Sequence, residues 1–235
     1  METLGLKKLF DTIGDALNIF DFSFFISGFV SLSLILVGVT AHVGNSWFDG
    51  LISWPTWLTV IVVLLFVYVC GLVSWMIGKE MRKAFLTDDC ENRSPEQNDF
   101  SLVYDGLVKS LGLQGEVLPQ FTNKMDIYYY MWIKLDSIKD NENVKGRLAY
   151  CNRLWVMRAL FEGLMTSCLL GFLLLIDLIF IVKVHRISEI LFCGVGFFVL
   201  ITLMHFAYKT ANSYAHSQIK EIVIAYKVYI LEESK

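Results

Sequence analysis

The chain has 235 residues, 55% of them hydrophobic and only 18% charged, with a mean hydropathy of +0.55. That charged share is below the roughly 25% usual in soluble domains. A formal net charge of -3 excludes a nucleic-acid binder working through a general basic surface.

Residues 3–20 form the first pattern. Leu6, Leu9, Phe10, Ile13, Leu17 and Phe20 recur at three- and four-residue spacing, with Lys7, Lys8, Asp11 and Asp15 on the other side. This is an amphipathic helix suited to a headgroup layer or to the protein's own polar part. With no small-residue cleavage site before the first apolar run, the stretch reads as retained rather than as a signal peptide. It makes a first segment of residues 1–21.

A first hairpin of apolar helices follows over 22–78. Its opening span, about 22–41, is rich in small residues at Ser27, Gly28, Ser31 and Ser33. In lipid, small residues let helices approach closely. The connection 42–53 holds no Lys or Arg, and Trp47, Trp54 and Trp57 fit a membrane interface. The second span, about 54–77, starts beside Pro55 and carries Gly71 and Ser74. It ends in GKEMRK, a basic cluster that belongs on the cytoplasmic side.

Residues 79–157 are the one sizeable polar region. TDDCENRSPEQND reads as a linker, 100–111 as a short helix and GLQGEVLPQ as a break. A second helix is expected over 125–138, KDNENVKG as a loop, and a third helix from Leu148 running into the next span. About eighty residues are marginal for an independent domain. A second hairpin occupies 158–208. Its first span, 163–182, is twenty residues long and interrupted only by Thr166, Ser167, Cys168 and Asp177. At about 1.5 Å per residue it crosses a hydrocarbon core of about 30 Å. The last span covers about 190–208.

The tail, 209–235, carries Ala211, Ala215, Ile219, Ile222, Tyr226 and Tyr229 at spacings of four and three. That is a helical seam, docked on the middle region or on another copy. Basic residues concentrate at the N-terminus, in the middle region and in the tail. The connections 42–53 and 183–189 hold only Lys183 and Arg186. Both termini are therefore expected in the cytoplasm. The resulting class is an all-α, multi-pass cell-membrane protein with four transmembrane helices and a small helical cytoplasmic region.

Asp177 is the sharpest candidate for chemistry. An ionisable group inside a span is costly unless it faces water or a partner. Ser27, Ser31 and Asp177 are candidates for a pore or polar membrane site, or for a structural acid paired with Lys183, Arg186 or a span-one serine. Gly163, Ser167 and Gly171 share one face, a small-xxx-small pattern for helix packing. Glu162 and His205 fall near the cytoplasmic ends of the third and fourth spans. With Arg153 and Arg158 they are candidates for a cytoplasmic gate or ligand contact, or for a satisfied interfacial pair and lipid-phosphate contacts.

The five cysteines form no close pair and read as free small hydrophobes. No metal site or cofactor is expected, and P-loop, dinucleotide, HExxH and GxSxG motifs are missing from the sequence. Three functions fit. The first is an oligomeric channel or membrane-permeabilising effector governed by its cytoplasmic helices, with the first or third span lining the path. The second is a non-catalytic anchor that recruits a soluble protein or small ligand through 79–157. The third is an intramembrane lipid-modifying enzyme using Asp177, Glu162 or His205. The partners expected are the lipid bilayer and further copies of the chain in a homo-oligomer, with no nucleic acid.

Overall fold

The computed structural model describes residues 19–44, 55–85, 104–112, 124–138, 142–182 and 187–233, and every structural statement below concerns these. Six helices and no strand are present among them: α1 (Ile19–Val43), α2 (Thr56–Phe85), α3 (104–110), α4 (Lys124–Ser137), α5 (Glu142–Val182) and α6 (Ile187–Glu233). The stretches Phe22–Val43, Thr56–Ala84, Val144–Phe180 and Cys193–Leu231 are each long and apolar enough to cross a membrane. The amphipathic pattern before residue 19, the TDDCENRSPEQND linker, Lys183 and Arg186 lie outside the described residues.

The helix ends follow local chemistry. Gly44 takes a φ of 80° and donates its N–H to the Thr40 carbonyl at 2.9 Å, closing α1 with a left-handed residue. The Pro55 carbonyl accepts from the N–H groups of Leu58 and Thr59 and opens α2. Gly112, with a φ of 67°, ends the turn after α3.

One expectation changes. The KDNENVKG stretch is not a loop throughout, because α5 begins at Glu142 and includes Gly146. Glu142 stands at the helix start, where a negative charge is favourable, and Val144 is 2% exposed, so packing fixes this turn. The helix expected over 100–111 is described only for 104–110.

The chain divides into two compact units, residues 1–80 with 159–209 and residues 81–158 with 210–235. The second unit is built from the end of α2, α3, α4, the first part of α5 and the last part of α6. Its core joins Tyr104, Met131, Leu135, Val144, Leu148, Cys151, Ile219, Ile222, Val223 and Tyr226. The seam residues Ala211, Ala215, Ile219, Ile222 and Tyr226 are all buried, so the tail's stripe is covered within the chain. Gln218 donates to the Tyr128 hydroxyl at 3.3 Å, and burial pushes that phenol well above its ordinary pKa. Arg82, fully buried, donates from Nη1 to Asn212 Oδ1 at 3.2 Å. Arg147 and Glu221 approach to 3.7 Å.

The first unit contains the apolar parts of α1, α2, α5 and α6. Aromatic contacts hold its helices in pairs. Phe24 meets Tyr68 and Trp75 between α1 and α2, with ring centroids 6.1 and 5.6 Å apart. Phe172 meets Phe197 at 4.7 Å and Phe161 meets Phe206 at 6.1 Å between α5 and α6.

Candidate functional site: a buried hydroxyl seam and two exposed polar positions

Three helices of the first unit meet where they lack side-chain bulk. A Cβ on Gly28 would collide with the Val67 carbonyl and lie 2.7 Å from the Gly71 nitrogen. One on Gly71 would strike the Phe24 carbonyl, and one on Gly78 the Glu162 carbonyl. On Gly163 it would lie 2.6 Å from both Cβ and Oγ of Ser27. Glycine is therefore required for backbone to approach backbone at α1–α2 and α2–α5, and for α5 to meet the Ser27 side chain.

Hydroxyls fill the space beside these glycines. Ser31 Oγ lies 2.8 Å from Ser74 Oγ on α2 and 2.8 Å from Ser167 Oγ on α5. Ser167 also donates toward the carbonyls of Gly163 (3.2 Å) and Ser27 (3.3 Å). Each hydroxyl has a single proton. With the Ser167 proton on a carbonyl, Ser31 donates to Ser167 and Ser74 donates to Ser31. Thr166 Oγ1 adds a bond to the Ser74 carbonyl at 2.6 Å, and Ser27 donates back to the Ser23 carbonyl at 3.1 Å. Ser27, Ser31, Ser74, Thr166 and Ser167 are all at most 3% exposed. The seam is a buried, internally satisfied lock.

That places Ser27 and Ser31 in contact between helices of one chain. Gly163 and Ser167 face the same seam. Gly171 lies further along α5, where a Cβ would meet Leu200 of α6 and Leu34 of α1. Glu162, 1% exposed, accepts from Trp75 Nε1 at 2.9 Å, and Lys79 Nζ stands 5.8 Å from the centre of the same indole. His205 lies on an exposed side of α6. Arg153 is exposed and Arg158 half-buried in the second unit. The Arg158 charge opposes the upward shift of the Tyr128 phenol.

Asp177 is bonded to His42, at 2.7 Å from Oδ2 to Nε2, with both side chains about half exposed. The sequence reading weighed Lys183, Arg186 and a span-one serine, and it overlooked this histidine at the far end of α1. Asp177 stands ten residues beyond Ser167, roughly 15 Å along the helix, so it does not join Ser27 and Ser31 in one site. Fifteen residues, or roughly 22 Å, separate it from Glu162, too far for the two acids to share a reacting centre. No group of three or more His, Cys, Asp or Glu able to hold a metal occurs among the described residues.

Exposure separates the apolar stretches. The side chains that α2 leaves open between residues 57 and 77 are all apolar, as are those of α1 before its last turn, while α5 after Gly163 opens one polar side chain, the half-exposed Asp177 that meets His42. α6 differs. Between residues 190 and 208 its exposed positions include Thr202 and His205. Only 6% of the most apolar window of α6 is buried within the chain, against 28% for α1 and for α5.

No protein-family model matches the chain, and no curated protein or solved structure is significantly similar to it.

Proposed function

We propose that the chain is the subunit of an oligomeric membrane channel or membrane-permeabilising effector. The bilayer holds four spans, both termini lie in the cytoplasm, and the second unit acts as the cytoplasmic control element. One observation carries the reading. The helix least covered by its own chain exposes polar side chains, Thr202 and His205, within its apolar stretch, whereas the half-exposed Asp177 of α5 is met by His42 of the same chain. An imidazole turned toward acyl chains is costly, and a neighbouring copy or water relieves that cost. The serine seam supports self-assembly from the other direction. It takes up Ser27, Ser31, Ser74, Thr166 and Ser167 of α1, α2 and α5 inside one chain, which favours a water path built from more than one copy. Basic residues Arg82, Lys83, Arg153, Arg158 and Lys209 favour the same cytoplasmic side.

Reconstitution in liposomes tests this reading. Purified protein is expected to release a trapped ion, with cross-linking in the native membrane giving species larger than one chain. A chain that stays single and passes no ion under any condition refutes it.

A second reading rests on α4. Tyr129 and Ile133, four residues apart on one face, are 56% and 66% exposed. Such a face suits a soluble partner, as an anchor or scaffold would require. A stoichiometric soluble protein co-purifying in detergent, lost with Ile133→Asp, favours the scaffold.

A further inference from the structure

On the reading that copies assemble around a path, we infer that α6 lines it, and that the face bearing Phe198, Thr202, His205 and Lys209 conducts anions. At roughly 100° per residue these four positions fall within about 60° of arc on one side of the helix. All four are exposed, Phe198 by 71%. The sequence pointed instead to the first or third span. The structure turns the small polar residues of those two helices inward, onto Ser74 and onto each other.

The chemistry changes along this face. Lys209 stands at the end where the apolar stretch gives way to the polar tail, and His205 lies one turn further in. Thr202 is next. Its hydroxyl donates to the Phe198 carbonyl at 2.8 Å, so lipid alone would satisfy it. His205 has no such backbone bond to return its donor, and it decides the direction in which the face points. Beyond Thr202 the face becomes apolar at Phe198, Gly194 and Leu191. Copies brought together on this side form a funnel. Its wide end is basic and hydrated. Its narrow end is ringed by phenyl groups, and such a constriction blocks ions by excluding water. No acid lies on the face between residues 190 and 209. A ring of Lys209 ammonium groups raises the local concentration of anions over cations.

Two measurements on the full-length protein test this. The first places single cysteines at 198, 202 and 205 and, as lipid-facing controls, at Val63 and Leu65 of α2. Each is exposed to a charged methanethiosulfonate reagent in native membranes, with the parent chain and its own cysteines as blank. Reaction requires a thiolate, which hydrocarbon disfavours, so positions 202 and 205 should react on the order of tenfold faster than 63 and 65. Labelling at 202 and 205 no faster than at the controls overturns the inference, whatever the flux. The second measures flux in liposomes. Phe198→Ser should raise the leak severalfold, a gain that misfolding does not mimic in a chain of unchanged elution volume. Chloride should pass in preference to potassium, and Lys209→Gln should reduce that preference. Where the parent conducts, an unchanged leak with Phe198→Ser, or a preference for potassium, also overturns it. If the face is labelled but neither parent nor Phe198→Ser passes any ion, the channel reading falls while the water-facing assignment of α6 stands.

Discussion

Replacing Gly28 with alanine adds one methyl group where α1 crosses α2. The new Cβ would lie 2.7 Å from the Gly71 nitrogen and 2.9 Å from the Val67 carbonyl carbon. Ordinary contact begins near 3.4 Å. Both obstacles are backbone, so no side-chain rotation relieves them. The Val67 carbonyl oxygen stands closer still, so the helices must separate by more than the roughly 0.7 Å that the Gly71 nitrogen alone requires, and close packing resists such a shift at a cost of at least about 1–3 kcal/mol. Ser31 and Ser74 each sit three residues beyond the crossing, so their 2.8 Å bond would stretch to the limit of hydrogen bonding. That bond contributes on the order of 0.6 kcal/mol in a membrane interior. Alanine recovers roughly 0.5–1 kcal/mol through its helix propensity. The net loss is at least about 1–3 kcal/mol, and in a chain of this size the thermal midpoint falls by roughly 2–12 °C or more.

Gly38→Ala is the control. On the same helix its Cβ would meet only Leu174 Cδ1 at 3.3 Å, the tip of a flexible side chain. The assay is thermal unfolding in one detergent, followed by tryptophan fluorescence, because Trp75 adjoins the seam. A Gly28→Ala protein as stable as Gly38→Ala would refute the reasoning.

Further expectations follow from the remaining contacts. Trp75→Phe removes the indole donor to the buried Glu162 carboxyl and should cost on the order of 1–3 kcal/mol, whereas Trp75 retained with Glu162→Gln keeps an acceptor and should cost less; midpoints of the two variants decide the order. His42→Ala should change stability by no more than about 1 kcal/mol, because the pair with Asp177 is half exposed; a larger fall in the thermal midpoint would mean the pair is shielded by neighbours. Tyr128 binds its proton more tightly folded than unfolded, since burial raises its pKa above the ordinary phenol value of about 10. Its contribution is fully present below pH 10 and is lost as pH rises further, so Tyr128→Phe should unfold at higher pH than the parent in an alkaline titration by circular dichroism. Arg82→Ala leaves the Asn212 amide oxygen without its donor and empties a fully buried site, and the proteolytic resistance of the second unit should drop.

Much of the architecture was legible in the chain because hydropathy and length act locally. Four apolar runs give four long helices, and the three- and four-residue stripe of the tail gives a face that the structure buries. The loop assigned to KDNENVKG failed because polarity says little about a helix start, whose place was fixed by Val144 packing into a core. Contacts between helices were harder to read. The seam had a signal that went unused. GFVS at 28–31 and GLVS at 71–74 share three of their four residues on two helices, and each pairs a glycine notch with a serine one turn away. Reading them as a matched pair would have joined α1 to α2 before any coordinates. The His42–Asp177 bond had no comparable sign, since 135 positions separate the two residues and neither repeats a pattern. Glu162 and His205 looked like partners because both are polar near the same end of their spans. Axial position does not fix rotation about the helix, and Glu162 turns to Trp75 while His205 is exposed.

The most direct measurement is a side-chain-resolution structure of the protein extracted with its surrounding lipid. Several copies around an axis are expected, with α6 of each nearest the centre and water beside Thr202 and His205. A single chain ringed by acyl chains, with density for lipid against His205, would contradict both the assembly and the path.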